Sequence, residues 1–141
     1  MRAQPIHLSF TLSALLLTVG CPETPCVEDL DETCTPLSSD VSWSNVYSTV
    51  IAEGCAQGGT SCHSADGVQG GLSLADEETA WSQLVETTDS DPAVIPSDAS
   101  CSDLMKRIES GDPNYQMPVG SPLSAAERCM VQLWIDNGAP R

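Results

Sequence analysis

The residues best suited to chemistry are the adjacent pair Cys62 and His63, with Cys55 seven positions before Cys62. Apart from His7, which lies among the first 20 residues, His63 is the only histidine of the chain. A site with two or more histidines is therefore excluded beyond those 20 residues. The sequence also lacks a Gly-Lys-Ser/Thr phosphate loop, a Gly-x-Gly-x-x-Gly turn and a Gly-x-Ser-x-Gly elbow. What remains is the chemistry of thiols, one imidazole and the distant thioether of Met117.

A Cys-His pair at the end of a short cysteine loop resembles the attachment signature of c-type haem. In that signature two thiols one helical turn apart add to the vinyl groups of haem, and the histidine that follows is the proximal iron ligand. A methionine from the far side is a soft sixth ligand, which raises the reduction potential. Here Cys55 and Cys62 are more widely spaced, so residues 56–61 have to bulge. Gly58 and Gly59 make such a bulge conformationally possible.

Apolar residues at helical spacing predict four helices that position these groups. No segment alternates as a β-strand does, so the predicted fold class is all-α. Long loops rich in glycine and proline join the helices, and loops of this length need disulfides or a large bound cofactor to fix them. The predicted helices begin near Ser42, Asp76, Ser100 and Ser124, and they end near Gly54, Val85, Ile108 and Gly138.

The composition is acidic and poor in aromatic residues. The chain has 141 residues, 20 Asp plus Glu against 5 Lys plus Arg, and a net charge of -15. Nucleic acid is excluded as a partner because phosphate binding needs clustered basic residues. Charge-driven binding to anionic lipid is excluded for the same reason. Aromatic residues make up only 4%, so the core must be aliphatic or filled by a bound group.

The N-terminus predicts export. Residues 8–19 form an apolar stretch that is too short to span a bilayer and is typical of a secretory signal. The segment Leu15–Cys21 resembles a bacterial lipoprotein signal, with Cys21 as the lipidated first residue. An ordinary secretory signal that is cleaved nearby is the alternative. The predicted organisation is a signal peptide over residues 1–20, an acidic, Pro/Ser/Thr-rich tether over 21–42 and a domain over 43–141.

Export implies an oxidising compartment in which thiols pair. Without Cys21, six cysteines remain, and they allow many connectivities. The local spacings favour the pairs Cys26–Cys34, Cys55–Cys62 and Cys101–Cys129. The Cys55–Cys62 pair competes with the haem interpretation, because a disulfide and thioethers cannot form at the same sulfur atoms.

An ordered series of short segments resembles the cytochrome-c-like domains of exported proteins and lipoproteins from myxobacteria and planctomycetes. The resemblance covers roughly residues 43–140. Its segments are Gly54-Cys55, Cys62-His63, Gly70-Gly71-Leu72-Ser73-Leu74, Val94-Ile95-Pro96-Ser97-Asp98, Gln116-Met117-Pro118, Pro122-Leu123-Ser124 and Leu133-Trp134-Ile135-Asp136-Asn137-Gly138-Ala139.

This resemblance implies a small, all-α cytochrome c fold that binds haem c. Cys55 and Cys62 would be the thioether sites, and His63 and Met117 the proximal and distal iron ligands. The implied function is electron transfer rather than substrate conversion, with a basic redox partner attracted to the acidic surface. The lipoprotein resemblance implies a location in the cell envelope, at the outer membrane or the periplasmic face, where a lipid on Cys21 is the only membrane attachment.

Two alternatives belong to other classes. The first is a haem-free structural or interaction lipoprotein of the same fold, in which disulfides, Cys55–Cys62 included, brace the domain. His63 would then be a loop histidine bonded to a carbonyl group, and Met117 would fill a gap in the core. The second is a metal site that uses Cys55, Cys62 and His63 as ligands.

Overall fold

The computed structural model of this chain describes residues 25–86 and 92–141. The predicted signal peptide, the predicted lipidation site Cys21 and residues 21–24 of the predicted tether lie outside these ranges. Within them the structure is helical, with four helical segments and no strand, so the prediction of an all-α domain is confirmed. None of the described helices is long and apolar enough to cross a membrane.

The first helical segment contains a π-helical turn, which is wider than an α-helical turn, between two α-helical pieces. A π-helical turn at Tyr47–Ile51 separates α1 from α2, and the three pieces follow one another without a break. Two short 3-10 turns, Gly59–Ser61 and Gln69–Gly71, lie in the loop that follows. The α-helices are α1 (Trp43–Val46), α2 (Ala52–Gly54), α3 (Glu77–Val85), α4 (Asp103–Ile108) and α5 (Ala125–Asp136).

Polar caps define where α3 and α5 begin. The Asp76 carboxylate accepts a hydrogen bond from the Thr79 amide at the start of α3. At α5 the Ser124 hydroxyl accepts from the Glu127 amide, and the Glu127 carboxylate accepts from the Ser124 amide. This reciprocal arrangement is the capping box predicted from Ser-x-x-Glu, and it satisfies two amide groups that have no partner within the helix.

Helix α5 lies at the centre of the core, where it packs against α1 and α4. The rings of Trp43 and Trp134 lie 4.7 Å apart between α1 and α5. The indole of Trp134 is fully buried and donates to the Pro140 carbonyl. Met105 and Met130 are also fully buried, as their positions on helix stripes predict. Aliphatic side chains fill most of the remaining core.

Two disulfides join the N-terminal segment to the helices. Cys26 is bonded to Cys101, just before α4, and Cys34 to Cys129 in α5. The predicted pairs Cys26–Cys34 and Cys101–Cys129 are therefore wrong. Spacing along the chain favours local pairs, but the N-terminal segment runs along the domain, so that Cys26 meets Cys101 just before α4 and Cys34 meets α5.

Hydrogen bonds also attach this segment to the domain. The Val27 amide donates to the Ser100 carbonyl, and the Leu37 amide donates to the Ala126 carbonyl. In addition, the buried side-chain amide of Gln132 donates to a backbone carbonyl of the segment. The described part of the predicted tether thus lies against the start of α4 and against α5. The domain boundary at residue 43 stays a prediction.

We expect the disulfide between Cys34 and Cys129 to contribute much of the stability. It links residues 95 positions apart, and closing long loops restricts the unfolded chain. The double variant Cys34→Ser with Cys129→Ser should lose about 2–4 kcal/mol of unfolding free energy. Urea denaturation against the parent protein measures this loss.

A non-reducing peptide map tests the pairing itself. Cleavage at acidic residues separates Cys26 from Cys34, because several Asp and Glu residues lie between them. The map should recover Cys26 with Cys101 and Cys34 with Cys129. Recovery of Cys26 bonded to Cys34 would contradict the observed fold of the N-terminal segment.

Candidate functional site

One cavity of about 720 Å³ lies between the loop after α2, helices α3 and α4, and the segment that precedes α5. Its volume falls in the range of about 300–1,000 Å³ that is typical of ligand and cofactor sites. Apolar side chains form much of its wall, namely Leu72, Leu74, Leu84, Leu104 and Ile108. The cavity could hold a flat, mostly apolar group of considerable size.

All four residues that the sequence singled out for cofactor binding lie on the wall of this cavity. They are Cys55, Cys62, His63 and Met117. Cys55 follows α2, the Cys62-His63 pair lies in the long loop, and Met117 lies in the segment between α4 and α5. The fold thus brings together groups that are distant in the sequence.

Three hydrogen bonds fix His63. Its amide donates to the Cys55 carbonyl at 3.2 Å, and its carbonyl accepts from the Leu74 amide at 2.7 Å. The ring atom Nδ1 lies 3.2 Å from the Leu72 carbonyl oxygen. Because a carbonyl can only accept, Nδ1 must carry the proton in this contact, which leaves the lone pair of Nε2 available in the neutral ring. Metal-binding histidines are oriented in the same way by a second-shell acceptor.

The two cysteines on the wall are free thiols in different surroundings. The two disulfides use four other cysteines, and Cys55 and Cys62 are not bonded to each other. The predicted Cys55–Cys62 disulfide is therefore absent from this structure. Cys55 is only 7% exposed and belongs to the core cluster, whereas Cys62 is half-buried. Burial, with a smaller contribution from the charge of Cys62, raises the pKa of Cys55 to about 11.

The residues between the two cysteines bulge at glycine, as predicted. Gly58 and Gly59 have φ angles of 95° and 60°, in the left-handed region that glycine adopts without strain. A side chain at Gly58 would also place its Cβ 2.6 Å from the Cys62 sulfur. The extra residues are therefore accommodated as a compact turn beside Cys62.

Two residues that the sequence analysis did not single out hold this turn in place. The Ser64 hydroxyl donates to the Gly59 carbonyl at 2.6 Å. A Cβ at Gly67 would overlap the carbonyl oxygens of Cys62 and Gly59, so the backbone can approach only at glycine. The sequence signal for Gly67 is weak, because it is one of several glycines in the loop.

A network on α4 holds the segment that carries Met117. The Met117 amide donates to the Arg107 carbonyl at 3.1 Å. The Asp103 carboxylate accepts from Arg107 at 2.6 Å and from the Tyr115 hydroxyl at 2.7 Å. Burial raises the pKa of Asp103, but these hydrogen bonds and the charge of Arg107 outweigh it and keep the pKa below its usual value. The i,i+4 spacing of Asp103 and Arg107 is the sequence signal that could have revealed this pair.

The proposed three-ligand metal site receives no support. Across residues 25–86 and 92–141, no group of three or more His, Cys, Asp or Glu side chains is arranged to hold a metal ion. Cys55, Cys62 and His63 share a cavity wall, but they do not form such a group.

Residues 60–119 match the family model described as Planctomycete cytochrome C. The match supports a cytochrome-c-like domain. It includes Cys62, His63 and Met117 but begins after Cys55. Searches of curated proteins and of solved structures find no match to this chain.

We expect Gly67 to be needed for the turn that carries Cys62 and His63. Gly67→Ala should lower the unfolding free energy by about 1–3 kcal/mol, because the added methyl group overlaps two backbone oxygens. Gly111→Ala is the matched control, since its Cβ would meet nothing within 4 Å. Urea denaturation of both variants measures the effect, and equal stabilities would contradict the role given to Gly67.

Proposed function

We propose that this chain is an exported c-type-cytochrome-like protein that binds haem in the cavity and transfers electrons. The observation that carries the proposal is the set of groups on one wall: a histidine with a free Nε2, a methionine thioether and two reduced thiols. Imidazole and thioether are the axial ligands of cytochromes c, and thiols are what covalent haem attachment requires. The residues present therefore fit haem c.

His63 and Met117 would hold the iron from two different segments of the chain. The Leu72 carbonyl orients the His63 ring, and the Arg107 carbonyl holds the Met117 backbone. Haem, when bound, supplies one-electron transfer, and a Met/His ligand pair raises its reduction potential. The leucine-rich wall would exclude water, which also favours the less charged, reduced state. Among the described residues no substrate-converting set emerges, and we propose an electron carrier rather than an enzyme.

The distribution of charge supports a basic redox partner. The chain carries a net charge of -15, yet among the described residues the only Asp or Glu on the cavity wall is Asp103, which is paired with Arg107. The remaining acids of the described residues would attract a basic protein over long range without placing unpaired charge beside the haem. Such an encounter would use a small, transient interface, and it would weaken as salt is added.

Substitution of the two ligands tests the haem site. In the purified exported protein, His63→Ala should abolish the low-spin spectrum, because the proximal nitrogen is lost. Met117→Ala should keep haem attached but lower its reduction potential, since the soft thioether is lost. Visible spectroscopy and a redox titration measure both effects.

Met130→Leu is the matched control, because Met130 is fully buried in α5 and does not line the cavity. Unchanged spectra in both ligand variants would eliminate the ligand assignment. A colourless parent protein would favour the second candidate, a haem-free structural or interaction lipoprotein. The observation in favour of that candidate is that two disulfides already brace the domain.

We also propose that Cys21 is the lipidated first residue of the mature protein, which anchors it in the cell envelope at the outer membrane or the periplasmic face. The mass of the mature N-terminus should show acyl chains on Cys21, and the protein should partition into detergent. Cys21→Ala should remove both properties and leave the spectrum unchanged. An unmodified Cys21 thiol, or cleavage at another residue, would refute the anchor.

A further inference from the structure

Cys55 and Cys62 differ in their relation to the cavity, although both lie on its wall. Cys55 immediately follows α2, where its amide donates to the Ile51 carbonyl, and its side chain is part of the buried core. Cys62 is half-buried, lies in the loop and directly precedes His63. Cys62 is therefore the cysteine nearest in sequence to the His63 ring, which would hold the bound group.

In the c-type haem signature the first cysteine stands three residues before the second, and in this chain that position cannot supply a thiol. Three residues before Cys62 stands Gly59. Gly59 is not part of the cavity wall, and a Cβ built on it would meet nothing within 4 Å. This position therefore lies off the cavity wall, and among the described residues Cys55 is the only other thiol on that wall.

We propose that Cys62 alone forms a thioether to haem. Cys55 remains a reduced thiol that packs against the haem. This inference rests on the proposed haem binding. In the step, the Cys62 S–H adds across one vinyl double bond: the sulfur bonds to the carbon next to the ring, and the proton goes to the terminal carbon, which becomes a methyl group. No oxidant or reductant is consumed. The second vinyl group keeps its double bond.

Two further observations agree with this assignment. The Cys55 side chain is only 7% exposed and belongs to the core cluster, whereas Cys62 is half-buried, so the Cys62 sulfur is the more accessible of the two. The family match includes Cys62 and His63 but not Cys55. Cys55 instead behaves as a small apolar residue, which is the usual role of a buried free cysteine.

A thiol count on the full-length holoprotein tests the inference. The protein is denatured without reduction and alkylated with iodoacetamide, so that the two disulfides stay closed. Besides Cys21, whose modification is measured separately, one free thiol per chain is expected with haem, and two without it. Cleavage at acidic residues should release the peptide Gly54–Asp66, carrying one haem and one alkyl group, with the alkyl group on Cys55. No alkyl group on that peptide, or alkylation of Cys62, overturns the inference.

Paired variants give a second, independent measurement. Cys55→Ala should retain haem that resists acid-acetone extraction, whereas Cys62→Ala should bind haem through His63 but release it on extraction. Circular dichroism and the disulfide map verify that both variants fold. Haem that remains covalently bound in Cys62→Ala, or is lost from Cys55→Ala, overturns the assignment.

Thiol reactivity in the haem-free protein provides a further measurement. At neutral pH, native Cys62 should be alkylated at least about tenfold faster than Cys55, because the Cys55 side chain is buried and the Cys62 side chain is only half-buried. Equal rates would overturn the asymmetry on which the inference depends. A colourless parent protein would refute the proposed function and this inference together, whereas haem bound through both sulfurs, or through Cys55, would refute only the inference.

Discussion

The hydrogen bonds around His63 are the constraint on which the candidate site depends. They tie one residue to the end of α2 through Cys55 and to the segment at Leu72 and Leu74. The ring and the backbone are therefore fixed by groups that lie both before and after them in sequence. A ligand that is already oriented loses little conformational freedom when it binds a metal, and this is why second-shell acceptors affect metal affinity so strongly.

The two disulfides serve a different part of the molecule. They attach the N-terminal segment to the start of α4 and to α5, and none of their four cysteines lies on the cavity wall. A small domain with few aromatic side chains has a limited core, so covalent bonds that restrict the unfolded chain are an effective source of stability. Because these bonds use partners far from the cavity, the thiols of Cys55 and Cys62 stay free for another role.

Local signals in the sequence predicted the helices and singled out the residues of the candidate site. The Ser124 capping box, the acidic start of α3 and the helical stripes of apolar residues act over a few positions, and the structure agrees with each of them. The Cys62-His63 pair and Met117 were identifiable because few other residues could do such chemistry. The disulfide partners were not predictable, because pairing depends on how distant segments meet in space.

Contacts between distant segments also explain which residues around the candidate site could not be predicted from the sequence. Gly67 is required by the close approach of two backbone oxygens, and a contact of that kind leaves no pattern in a glycine-rich loop. The link between Met117 and Arg107 is a backbone hydrogen bond, which is independent of residue type. Only the Asp103–Arg107 pair had a local signal, since i,i+4 charges of opposite sign can be recognised in a predicted helix.

The long insert before Cys62 is compatible with a fixed His63 because its two ends are joined. The hydrogen bond from the His63 amide to the Cys55 carbonyl closes the loop at its base, so extra residues extend the turn without displacing the histidine. Lengthening a closed loop costs little free energy, since the entropy of closure grows only slowly with length. The longer insert affects the first thiol instead. The residue three positions before Cys62 is Gly59, which is not on the cavity wall, and Cys55 is buried just after α2. Under the proposed haem binding, the wider spacing would therefore keep His63 in position and change only how the thiols hold the cofactor.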